Sequence, residues 1–154
     1  MTTVAYKNGI IAADTKSFCG HEVSPGHSVK IARNNVGHVI GFCGVRAAGE
    51  KLIREFLAGS PVDWRNMPKE ESAVIVSREG ELTHYDSYGD CRLYVPYYAI
   101  GSGSAVALGA LHAGATAIAA VRAAIEHDDS SAGEAVHIIE GIRSAMWTEI
   151  LPAI

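Results

Sequence analysis

Strands, one helix, further strands, two helices and a closing strand follow one another along this chain. That order predicts an α+β fold of layered sheets and helices, because the regular βα alternation of a parallel sheet is missing. Three observations carry the expectation. Asn8-Gly9 stands between two apolar runs, the strongest short-range signal of a β-hairpin. Residues 47–57 place Ala48, Leu52, Ile53, Phe56 and Leu57 on one helical face and Glu50, Lys51, Arg54 and Glu55 on the other. Residues 105–125 are apolar but small, and Gly109, His112, Gly114 and Arg122 interrupt them, which makes two short packed helices of them and not a membrane span.

The first strand is expected over 3–7 and its hairpin partner over 10–13, which seats the start of the chain on a sheet. Beyond Asp14, a Ser-, Gly- and His-rich stretch containing Pro25 reads as loop. Strands follow at 29–33 and 38–42 with a turn at Asn34-Asn35 between them, and Gly44 closes the second before the amphipathic helix. Gly59, Pro61 and Pro68 mark a loop. Residues 73–77 and 82–86 form a second hairpin about Glu79-Gly80, with further strands over 92–95 and ending at Ile100. A helix over 104–112 stops near Gly114, and Thr116 caps the next, whose Ile118, Val121 and Ile125 make one stripe. Residues 135–139, apolar and β-branched, return to a sheet.

With 154 residues, 48 % of them hydrophobic and 19 % charged, the chain is sized for one compact domain with a substantial core. A net charge of -4 leaves no basic footprint for nucleic acid. The opening residues lack the charged and apolar regions of a secretion signal, so a cytoplasmic location is expected. Cys19, Cys43 and Cys91 are an odd set without CxxC spacing, which argues against a disulfide framework or a zinc site and for reduced, partly buried thiols. The seven histidines form no HExxH or paired-ligand pattern, so no metal and no cofactor is expected.

The chemistry starts at the first residues. Removal of Met1 leaves Thr2 at the N-terminus, where one residue carries both a hydroxyl nucleophile and a base. The α-amine has a reference pKa of about 7.7–8.0, close enough to neutrality to accept the hydroxyl proton without a histidine. A threonine in second place is ordinary by itself, and its meaning depends on what accompanies it.

Several separated segments accompany it in order: Thr2-Thr3-Val4, Ala12-Ala13-Asp14, Lys30-Ile31-Ala32-Arg33, Gly41-Phe42-Cys43-Gly44, Ile100-Gly101-Ser102-Gly103-Ser104, and Asp128-Asp129-Ser130-Ser131-Ala132-Gly133. On these segments the chain resembles, nearly throughout, the proteasome β-subunit and HslV-type family of N-terminal-nucleophile (threonine) hydrolases. The resemblance implies a four-layer αββα sandwich, two antiparallel sheets flanked by helices, with the 154 residues as one peptidase domain.

The resemblance also assigns roles. Thr2 matches the nucleophile, Lys30 the cation beside its hydroxyl, and Asp14 the carboxylate that keeps this lysine charged and oriented. Gly44 matches the residue whose backbone N–H faces the developing oxyanion, Ser102 the serine that bonds the terminal amine, and Asp128 and Ser131 the carboxylate and hydroxyl that complete the network. Ser28, Ala32 and Phe42 are candidate specificity positions, and Arg46 and Ala47 follow the oxyanion glycine. The activity implied is threonine-type endopeptidase cleavage of peptides or unfolded proteins, inside homo-oligomeric stacked rings that work with an AAA+ unfoldase. An amidase acting on small amides and a noncatalytic ring or scaffold subunit are the alternatives.

Some features depart from the family pattern. Ala132-Gly133 stands where a double glycine is usual, and Asp129 where a small residue is usual. The short segment after Gly59 predicts that one helix of the sandwich is trimmed, and the C-terminal end of the fold is expected to be trimmed as well.

Overall fold

The computed structural model describes residues 2–19, 22–23, 26–61, 63–128 and 136–142. The chain opens with β1 (Thr3–Lys7) and β2 (Ile10–Asp14), joined by a turn in which Asn8 and Gly9 have φ of 51° and 77°. Both values are positive, as the type I′ hairpin turn demands, and the Asn-Gly pair meets that demand at little steric cost. A short hairpin, β3 (Phe18–Cys19) and β4 (Glu22–Val23), lies in the stretch expected to be loop. Then come β5 (Ile31–Arg33), β6 (Val39–Cys43) and α1 (Arg46–Leu57). The chain continues through β7 (Ser72–Val76), β8 (Leu82–Asp86), β9 (Gly89–Leu93) and β10 (Tyr97–Gly101) to α2 (Ser104–His112), α3 (Ala117–His127) and β11 (Val136–Ile139).

One sheet has the order β10-β1-β2-β11 and a second the order β5-β6-β7-β8-β9, with every neighbouring pair antiparallel. Alternation along the strands sorts their side chains between layers. Val4, Tyr6, Ile11, Ala13 and Ile100 of the first sheet meet Ile31, Val39, Cys43, Val76 and Leu82 of the second in one apolar cluster. The opposite face of the first sheet presents Ala5, Ala12 and Ala99 to Ala107 and Leu111 of α2 and Ala117, Ala120 and Val121 of α3. The opposite face of the second sheet presents Ile40, Phe42 and Ala73 to Ile53 and Phe56 of α1. The result is the four-layer αββα sandwich.

Three expectations shift. Leu57 is 46 % exposed, because the inward line of α1 runs through Gly49, Ile53 and Phe56. In α3 the fully buried face is Ala117, Ala120, Val121 and Ala124, while Ile118 and Ile125 flank it. Alanine against alanine lets α3 approach the sheet more closely than an isoleucine stripe allows. The strand expected over 92–95 is Gly89–Leu93, a polar edge held by pairing with β8 and by Arg92 Nη2 at 3.0 Å from Glu81 Oε2. Charge on an exposed edge strand discourages pairing with another chain.

Thr116 caps α3 as expected, its Oγ1 accepting the Ala119 N–H at 3.1 Å. Among the described residues, the stretch after Gly59 holds one 3₁₀ turn, Trp64–Asn66, in place of a second outer helix. The C-terminal trimming expected of the fold lies outside the described residues. No helix among the described residues is long and apolar enough to cross a membrane.

Candidate active site

Thr2 immediately precedes β1 and is 3 % exposed. The β1–β2 hairpin brings the end of β2 beside the start of β1, so that Asp14 Oδ1 accepts the Thr3 N–H at 2.8 Å. Lys30, just ahead of β5, places Nζ 2.9 Å from the same oxygen and also donates to the Lys16 carbonyl. Lys30 is tied in turn to β6, since its carbonyl accepts the Phe42 N–H at 2.9 Å. Asp14 is wholly buried, and its Oδ2 has no hydrogen-bond partner among the described residues. Burial pushes the Asp14 carboxyl above its ordinary value of 3.8, against the pull of Lys30 and the Thr3 N–H. Burial likewise pulls Lys30 below its ordinary 10.5, against the pull of Asp14.

At the end of β10, Gly101 pairs with Thr3 and turns the chain towards Ser102. Ser102 Oγ lies 3.4 Å from the Thr2 carbonyl oxygen and 3.4 Å from Asp128 Oδ2, both long for hydroxyl hydrogen bonds. The resemblance assigns Ser102 to the terminal amine, whereas the Thr2 partner here is the carbonyl. Asp128 is the residue after α3, its N–H bonded to the Ala124 carbonyl at 2.8 Å. Ser131, Asp129, Ala132 and Gly133 lie outside the described residues.

Gly44 leaves β6 with φ 146°. It lines an open groove of about 1030 Å³ together with Thr2, Lys30, Cys43, Ser102 and Glu71. Thus Thr2, Asp14, Lys30, Gly44, Ser102 and Asp128 come together around one groove, with Asp14 behind Lys30 and Asp128 reached through Ser102. Of the candidate specificity positions, Ser28 and Phe42 line the groove, as do Arg46 and Ala47. Ala32 packs instead with the cluster under α1, because it lies on the other face of β5 from Ile31. Cys43 brings a thiol to the groove. Burial raises its thiol above the ordinary 9.0, which keeps it protonated and unreactive at neutral pH.

Sequence reading missed Glu71. In Lys69-Glu70-Glu71-Ser72 it looks like one of a solvated pair, yet Glu70 is exposed while Glu71 is 5 % exposed and bonded to the backbone beside Gly44. Nothing in the local pattern distinguishes the two.

Gly101 tests the rigidity of this arrangement. Its φ is 101°, and a Cβ placed there would overlap the Thr2 carbonyl group. Gly101→Ala is therefore expected to lower stability by at least about 2 kcal/mol through strain and overpacking, and to displace Thr2. Chemical denaturation measures the first effect. A variant as stable as the parent would mean that the Thr2 backbone is not held against β10.

No family model and no curated protein matches the chain. Solved structures do match. The chain is 24% identical to eukaryotic HslV from Trypanosoma brucei, with a TM-score of 0.66 over 92% of this chain and 100% of that one. It is 21% identical to Thiobacillus denitrificans BPH in complex with epoxomicin, with a TM-score of 0.65 over 90% of this chain and 97% of that one. BPH described without that compound gives 20% identity and a TM-score of 0.64 over the same shares. Two antiparallel sheets packed face to face between helices, with these matches across nine-tenths of the chain, give this protein the N-terminal-nucleophile hydrolase fold seen in HslV.

Proposed function

We propose that the chain is a threonine-type endopeptidase whose nucleophile is Thr2 after removal of Met1. The observation that carries this reading is the placement of Thr2 beside a buried Lys30–Asp14 pair at the edge of a large groove. A lysine ion pair buried beside an N-terminal hydroxyl has little value to packing, since desolvation offsets its Coulomb gain. It does have value to chemistry. A cation there stabilises the hydroxyl as it loses its proton and disfavours protonation of the α-amine, which leaves that amine free to act as base.

In the proposed reaction Thr2 Oγ attacks the scissile carbonyl and its proton passes to the α-amine. The Gly44 N–H is the donor to the oxyanion, a contribution of about 10²–10³-fold where such donors have been removed elsewhere. The amine then delivers the proton to the leaving nitrogen as the C–N bond breaks, which leaves an ester on Thr2. Water adds to that ester, the acid departs, and Oγ recovers a proton. Ser102 and Asp128 hold the N-terminal residue in place, and Ser131 joins them in this reading.

The groove, about 1030 Å³ and open to solvent, has room for a peptide segment. Assembly into homo-oligomeric stacked rings, an AAA+ unfoldase as partner and a cytoplasmic setting, which the sequence resemblance implies, are parts of the same proposal.

The test is intact-mass analysis of the purified protein before and after exposure to an epoxyketone such as epoxomicin. The expected result is a chain lacking Met1 that gains one inhibitor mass at Thr2. A chain that keeps Met1 and does not react would favour the noncatalytic ring subunit. Labelling with turnover of small amides but not peptides would favour the amidase.

A further inference from the structure

Among the described residues the buried charged side chains are Asp14, Lys30 and Glu71. The first two pair with each other. Glu71 has no ion-pair partner among the described residues, lines the groove, and has no part in the reaction as proposed above. Its surroundings say what it does.

Glu71 Oε1 accepts the Val45 N–H at 3.2 Å. Val45 is the N-cap of α1 and has no side-chain cap, and the first turn of that helix carries no acidic residue. The carboxylate that complements this helix N-terminus therefore comes from the residue just ahead of β7, the strand beside β6, and a negative charge there is favoured by the helix dipole. The stem of Glu71 also lies directly under Gly44. A Cβ on Gly44 would overlap Glu71 Cγ and come within 2.8 Å of its Cδ. Glu71 is itself anchored, since its N–H bonds the Pro68 carbonyl at 3.0 Å and the next residue, Ser72, pairs with Cys43 on β6. A fixed strand end thus grips the peptide between Gly44 and Val45 from below and from the side.

We infer that Glu71 is a positioning residue: by bonding the Val45 N–H and packing under the Gly44 Cα it holds the Gly44 backbone, so that the Gly44 N–H, on the preceding peptide, keeps its aim at the oxyanion. The inference rests on the peptidase reading. Acceptor geometry is the feature required of Glu71, and charge is not, because a carboxylate this close to a developing oxyanion opposes it. Glutamine keeps the accepting oxygen and the packing; alanine removes both.

The test compares Glu71→Ala and Glu71→Gln with the parent protein on a fluorogenic peptide, well below the melting temperature of each, with folding checked by circular dichroism. Glu71→Ala is expected to lower kcat by at least about tenfold while KM changes less than about twofold, since a misplaced oxyanion donor costs the transition state and not the ground state. Glu71→Gln is expected to restore most of the lost rate. Amide hydrogen exchange at Val45 should quicken in Glu71→Ala and stay slow in Glu71→Gln. Folded Glu71→Ala with the parent kcat overturns the inference. So does a rise in KM confined to peptides with a basic side chain, which would make Glu71 a substrate-recognition group. A parent protein that cleaves no peptide sinks the peptidase reading itself, and this assignment with it.

Discussion

Thr2→Ala is expected to bring peptide cleavage down to background, a loss of at least about 10³-fold, while the protein stays folded. The substitution removes the one hydroxyl to which the proposed reaction assigns the new C–O bond, and the groove's other hydroxyls, on Ser17, Ser28, Ser72 and Ser102, do not share a residue with the α-amine base. Cys43 lines the same groove but is held as a protonated thiol by burial. The structural cost is small. Thr2 lies ahead of the first paired residue, Thr3, whose partner Gly101 and acceptor Asp14 are untouched. Turnover of a fluorogenic peptide and a thermal melt, measured on the same preparation, separate the two effects. Peptide turnover at the parent rate in this variant would end the proposed mechanism.

Lys30→Ala is expected to damage both activity and stability. It strands Asp14, a wholly buried carboxylate, without its cation, a situation that costs about 3–5 kcal/mol in proteins where one member of a buried pair has been removed. The double variant Asp14→Asn/Lys30→Met separates stability from function. Asparagine keeps an acceptor for the Thr3 N–H, methionine fills much of the lysine volume, and neither site carries a charge. Stability should return to near that of the parent, and cleavage should not. Denaturant midpoints and peptide turnover on the single and double variants provide the check. A double variant that regains activity would show that the cation is not needed.

The same pair sets the pH dependence. For Asp14 the folded value lies above the unfolded one, so its contribution to stability is complete below pH 3.8 and is lost as pH rises through the folded value. For Lys30 the folded value lies below the unfolded one, so its contribution is complete above pH 10.5 and is lost as pH falls through the folded value. Burial opposes charge on both groups, and the fold carries the charged pair at a cost that function explains. Activity that requires charged Lys30 should accordingly fall off on the alkaline side at a pH below 10.5. An alkaline limb at or above that value would argue against a buried, functional lysine.

The parts of the site that were legible in sequence are those whose residue type is dictated by local backbone. Asn8-Gly9 sets the hairpin register, and that register alone brings Asp14 beside Thr3. Gly44 and Gly101 mark the ends of β6 and β10, where a side chain would strike Glu71 or the Thr2 carbonyl. Lys30 was legible only in combination with the other segments, because a lysine before a strand is in itself unremarkable. Glu71 was not legible at all, since its burial depends on β7 pairing with β6 and on α1 starting directly above it.

By itself the sequence determined the main order of strands and helices, apart from the short β3–β4 hairpin, and the hairpin that seats the N-terminal residues, and it nominated a small set of polar residues around Thr2. These follow from interactions between near neighbours in the chain, such as turn geometry, side-chain periodicity and helix caps. Only the tertiary structure decided that α3 turns its alanines and not its isoleucines to the sheet, that the polar stretch Gly89–Leu93 is an edge strand, and that Glu71 rather than Glu70 is buried beside Gly44. Those outcomes depend on how closely two layers approach and on which backbone groups remain to be paired once they have packed, quantities that arise only between segments far apart in sequence.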